Sequence, residues 1–75
     1  MEPKLLRNSR TIASVQFEEE SSTLDVWLRN GAGYRYFMVP RRVYEEFLEA
    51  ESAGRFFVDH IRDRFAVTRL REKRL

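Results

Sequence analysis

No cysteine occurs in the 75-residue chain, so disulfides and thiolate metal ligands are excluded and no oxidising compartment is required. One histidine is too few for the usual zinc sites. No apolar run approaches the roughly 20 residues of a membrane span, and the N-terminus lacks the apolar region of a signal peptide. Two prolines and three glycines leave little room for linkers, and no internal repeat or low-complexity stretch is present. A chain this short holds one core, which buries only about 60% of the surface exposed on unfolding. These absences describe a small, soluble, cytoplasmic domain.

What is present is charge. Fourteen Lys and Arg stand against 12 Asp and Glu, a net +2 that hides blocks of one sign. Residues 18–25 carry Glu18, Glu19, Glu20 and Asp25 without a base, and residues 26–44 carry Arg29, Arg35, Arg41 and Arg42 without an acid. Glu45, Glu46, Glu49 and Glu51 follow, and Arg69, Arg71, Lys73 and Arg74 crowd the C-terminus. Such blocks are expected to form separate surface patches, which matter more to partners than the total.

The first half alternates with period two, the mark of half-buried strands. Ala13, Val15 and Phe17 alternate with Ser14, Gln16 and Glu18; Leu24, Val26 and Leu28 with Asp25, Trp27 and Arg29; Tyr34, Tyr36 and Met38 with Arg35 and Phe37. Ile12 is out of phase with Val15, which predicts a bulge or a strand start. Asn30-Gly31 suits a tight hairpin. After Val39-Pro40 the period lengthens: Val43, Tyr44, Phe47 and Leu48 recur at helical spacing, with Pro40 suited to the first turn. Ser52 is an N-cap for a second helix whose stripe is Phe57, Ile61 and Phe65. The expected fold is α+β, a three-stranded antiparallel meander followed by two helices packed on one face. Residues 9–68 form the domain, with an N-terminal segment 1–8 and a frayed, basic C-terminal tail 69–75.

The succession Ile12…Val15-x-Phe17, Leu24-x-Val26-x-Leu28, Gly31, Tyr34-x-Tyr36, Val39-Pro40, Val43-Tyr44, Ala50, Ser52-x-Gly54, Phe57 and Ile61-Arg62-x-x-Phe65 resembles the KTSC domain, named for its place at the C-terminus of some lysyl-tRNA synthetases. The resemblance spans about residues 9 to 65, with Phe17 and Phe65 where the family pattern often has tyrosine. It implies a small bacterial or phage protein, or an appendage to a larger one, of a family with no assigned activity. Most matching positions are apolar or turn residues, so it implies a fold more than a site.

Catalysis is not expected, nor any cofactor, metal or small-molecule substrate. His60 is the sole imidazole and reads as a structural residue flanking the helical stripe. Glu18-Glu19-Glu20 reads as a solvated turn, because consecutive turn carboxylates diverge instead of converging on an ion. Gly31 and Gly33 belong to a hairpin, not a phosphate loop.

Binding is the expected activity. If Leu24, Val26 and Leu28 face the helices, pleating puts Trp27, Arg29, Arg35 and Phe37 on the opposite face. With Arg41 and Arg42, which break the preference for acids in a first helical turn, they form the candidate ligand surface. Two aromatics beside arginines suit stacked bases and phosphates of RNA or other single-stranded nucleic acid, and the lysyl-tRNA synthetase context implied by the resemblance tilts the expectation toward RNA. The alternatives are a protein partner or homodimer using the same face or an exposed 12–17 edge strand, and cover by the N-terminal segment through Leu5 and Leu6. No membrane contact is expected.

Overall fold

The computed structural model describes residues 4–6 and 9–70. In chain order it contains β1 (Lys4–Leu5), β2 (Ile12–Glu18), β3 (Thr23–Leu28), β4 (Gly33–Tyr36), α1 (Arg41–Glu49), α2 (Ala53–His60) and β5 (Val67–Leu70). All pairings are antiparallel, in the order β1-β2-β3-β4-β5. The sheet therefore has five strands, not the three expected. The two additions are short and lack a clear alternation, and they are strands because a neighbour offers them hydrogen bonds. β1 sits against Ser14 and Val15, so the 12–17 strand is flanked there and is not a free edge. β5 takes Arg69 and Leu70 out of the expected tail and into the sheet. The rest of that tail, residues 71–75, lies outside the described residues.

The expected irregularity at the start of β2 is real. Ile12 pairs with Leu28 and Ser14 with Trp27, so an extra residue is accommodated at Ala13 and the phase resets before Val15. In the β3–β4 hairpin the Leu28 N–H donates to Ala32 O (2.8 Å), the Gly31 N–H to Leu28 O (3.0 Å), and the Ala32 N–H to Asn30 Oδ1 (2.9 Å). Only Gly31 uses the left-handed region there, at φ 98°.

Pro40 is the N-cap of α1, one position earlier than the expected first turn. Ser52 caps α2 as expected, its Oγ accepting from the Arg55 N–H at 3.2 Å. That helix ends at His60, however, and Ile61 sits outside helical geometry (φ −123°, ψ −48°). The stripe was expected to run on to Phe65. Instead the chain turns over residues 61–64, which lets Val67–Leu70 reach the edge of β4.

The core joins one sheet face to the helix pair. Ile12, Val15, Leu24 and Val26 from the sheet and Phe47 and Ile61 from the helical side have no solvent exposure. Aromatic contacts fasten the layers: Phe17 stacks on Tyr44 (centroids 4.9 Å apart), and Tyr36 meets Phe57 edge-on at 5.8 Å. Strand parity is thus as expected, with the aliphatic series of β3 inward.

Candidate functional site

Residues paired across neighbouring strands share a sheet face. On the face away from the helices, Leu5 pairs with Ser14, Ser14 with Trp27, Trp27 with Gly33, and Gly33 with Leu70. A single row, Leu5–Ser14–Trp27–Gly33–Leu70, therefore crosses all five strands. Its smallest member explains its largest. A Cβ at Gly33 would lie 2.3–2.7 Å from three indole carbons, so the Trp27 ring is pressed against the Gly33 backbone. The indole is consequently half-buried, not bare as parity alone suggested, and Ser14 beside it is buried. Leu5, by contrast, keeps 68% of its surface.

A second row runs through Gln16, Asp25, Arg35 and Thr68. Here the expected basic character is neutralised. Arg35 donates twice to Asp25, Nε to Oδ1 at 2.8 Å and Nη2 to Oδ2 at 2.9 Å, a bidentate pair that raises the guanidinium pKa. Phe37 closes this side of the face, half-buried beside Arg35.

The remaining arginines do not join them. Arg29 reaches back to the N-terminal segment, Nε donating to Ser9 O at 2.7 Å and Nη2 to Leu6 O at 2.8 Å. Arg41 and Arg42 lie on α1, in the helical layer. Arg41 Nε donates to Glu45 Oε2 at 3.0 Å, and the side chain also pairs with Glu19 in the β2–β3 turn; its hydrogen bond to Glu45 and the charge of Glu19 hold its pKa up. Arg42 makes no ion pair among the described residues, the i,i+4 partner Glu46 included. The acidic 18–25 block and the basic 26–44 block, expected as separate patches, thus meet through Asp25–Arg35 and Glu19–Arg41. Hairpin register sets Asp25 opposite Arg35, and the turn sets Glu19 beside α1.

Of the N-terminal segment the structure describes Lys4, Leu5 and Leu6: β1 extends the sheet in its own plane, and Leu6 packs against the core. Arg29→Ala is expected to loosen this anchorage alone. The two lost charge-assisted bonds are worth about 1 kcal/mol at an exposed site, so hydrogen exchange at the Leu6 amide, which donates to Ala13 O, should quicken about fivefold. Core amides should keep their protection; an unchanged Leu6 rate would show that Arg29 anchors nothing.

His60 packs its ring against Phe56 at 4.7 Å, on the exposed side of α2. Among the described residues no three His, Asp or Glu side chains are grouped to hold a metal ion. No described helix is long and apolar enough to cross a membrane.

A helix pair layered on one face of an antiparallel meander, with the outer face left without a helical cover, defines a small two-layer α+β domain. The KTSC domain family matches residues 8–65. A crystal structure of a KTSC domain protein from Yersinia pestis superposes with a TM-score of 0.87 at 28% identity, covering 92% of this chain and 96% of that one. Uncharacterised relatives include a protein of Stutzerimonas stutzeri, 41% identical over 49 residues (65% of this chain, 69% of that protein). A relative from Tsukamurella paurometabola is 32% identical over 62 residues (83% of this chain and 92% of that protein). The chain belongs to the KTSC domain family.

Proposed function

We propose that this protein is a non-enzymatic interaction module that docks a protein surface, in the first instance a second copy of itself, on the outer sheet face. The observation that carries the reading is the row Leu5–Trp27–Leu70, which spans the sheet on the side the helices leave uncovered. Large apolar residues on such a face mark interaction surfaces. The neutral Asp25–Arg35 pair beside them suits a protein surface better than a polyanion, because the guanidinium already holds a carboxylate. A stable interface takes about 800 Å² from each partner. In a molecule measuring 30 × 26 × 24 Å, one sheet face approaches that only with its rim, so the association is weak and concentration-dependent.

Light scattering over a concentration series tests this. The mass is expected to rise from 9.0 kDa toward twice that value, and Trp27→Ser is expected to hold it at the monomer. A monomer at every concentration would end the self-association reading.

The second reading, single-stranded RNA, is favoured by the exposed Arg42, which no carboxylate of the described residues engages. Base stacking on an aromatic contributes about 1–3 kcal/mol. Amide resonances followed against a single-stranded oligonucleotide decide it. Shifts centred on Arg42 and the first turn of α1 that fade as salt rises support RNA, and their absence up to millimolar oligonucleotide removes it.

A further inference from the structure

On the helical side, α2 stops short of the β4–β5 edge and leaves an apolar groove of about 360 Å³. Leu28, Tyr34, Tyr36, Phe57, Val58 and Val67 line it, together with the polar Thr11 and Arg62. Val58 and Val67 keep 51% and 47% of their surface, large values for valines flanking a core. Register explains the geometry: Val67 pairs with Tyr36 and Arg69 with Tyr34, so β5 adds a wall beyond the reach of the helices.

Two features of the groove are unexplained by folding. Tyr36 is only 2% exposed, yet its hydroxyl makes no hydrogen bond to any described residue. No side-chain oxygen or nitrogen among the described residues is both sealed from solvent and unpartnered, so the little surface Tyr36 retains includes that hydroxyl, and Tyr36 is one of the residues that line the groove. Burial, and secondarily the neighbouring Tyr34, raises its pKa, so it remains a donor throughout the physiological range. The second feature is charge. The Arg62 guanidinium bonds to no carboxylate among the described residues, and Arg69 lies over the Tyr34 ring at 5.8 Å with no acid paired to it. Asp63 is the nearby acid, and Arg62 outweighs it in its influence on Tyr36.

A largely apolar slot that holds the unpartnered hydroxyl of a nearly buried tyrosine and a guanidinium free of carboxylates is complementary to a molecule with an apolar body and one negative end. We propose that this groove binds a small apolar carboxylate, an aryl or short alkyl acid, with Tyr36 Oη donating to a carboxylate oxygen and Arg62 meeting its charge. The site lies on the opposite side of the sheet from Trp27 and is independent of the interaction face.

Phenylacetate, titrated into isotopically labelled protein while amide resonances are followed, is the probe. Shifts are expected at Leu28, Phe57, Val58 and Val67, saturating in the millimolar range. Tyr36→Phe deletes only a hydroxyl without an internal partner, so the fold and melting temperature should persist while the dissociation constant rises about tenfold. Arg62→Gln is expected to weaken binding at least fivefold, and neutral phenylacetamide to bind about tenfold less tightly than the acid. Trp27→Ser should change none of this. The proposal is overturned by any of three results: no groove-centred shifts in the wild-type protein, Tyr36→Phe and Arg62→Gln titrating like wild type, or the amide binding as well as the acid.

Discussion

Phe47→Ala is expected to remove a large share of the protein's stability and to lower its melting temperature by at least about 12 °C. Phe47 is the one fully buried residue of α1, and its ring lies 5.6 Å from Phe56 and 6.5 Å from Phe57, so it joins both helices to the core. Truncating a buried phenylalanine costs about 3–5 kcal/mol, part of it for the cavity left behind. A domain of 75 residues has a total stability of about 4–11 kcal/mol at the usual value per residue. The loss therefore consumes a large share of what exists. Each kcal/mol lowers the melting temperature of so small a domain by about 4–8 °C, so a fall of at least about 12 °C is expected in a thermal melt followed by circular dichroism. Phe47→Leu, which keeps most of the volume, should retain most of the stability. A fall below about 5 °C for the alanine variant would mean that the helix pair is not held through this residue.

Gly33→Ala should have the next largest effect, for a different reason. The added methyl would fall 2.3 Å from the nearest indole carbon, well inside contact distance. Trp27 must swing away or the two strands must part, and overpacking of this kind costs about 1–3 kcal/mol. Because Trp27 is the sole tryptophan, its fluorescence reports the event directly: the emission maximum should move to longer wavelength as the ring leaves Gly33 for water. A double-mutant cycle isolates the cause. With Trp27→Ala already in place, Gly33→Ala should cost far less, since the ring it collides with is gone. Strict additivity would show that the glycine is required by its backbone and not by the indole.

The two variants probe opposite faces of the sheet, and these faces differ in how readable they were. Inward residues announce themselves by period: Val15 and Phe17, then Leu24, Val26 and Leu28, could bury their side chains in only one register with the helices. The outer face depends on what lies across the strand. Parity put Trp27 there, but nothing in the order of residues indicated that Gly33 would be its direct partner and would draw the ring down. The same holds for charge. Asp25 and Arg35 are 10 positions apart along the chain and directly opposite in the hairpin, so a run of acids followed by a run of bases became a neutral surface. Arg29 looked like a ligand for phosphate and serves the carbonyls of Ser9 and Leu6 instead.

The chain by itself determined the alternating strands β2 to β4, the bulge near Ile12, the turn at Gly31, the Ser52 cap and the family. All of these follow from local backbone preference and from the periodicity of burial, which are properties of neighbouring residues. Tertiary structure alone decided that Lys4–Leu5 and Val67–Leu70 would be strands, where α2 would stop, which arginines would be occupied, and that a groove would open above Tyr36. Each of those outcomes depends on a partner far along the chain. An edge strand gains its hydrogen bonds only from a neighbour already in place, and a guanidinium's partner is fixed by the register of the strands that carry it.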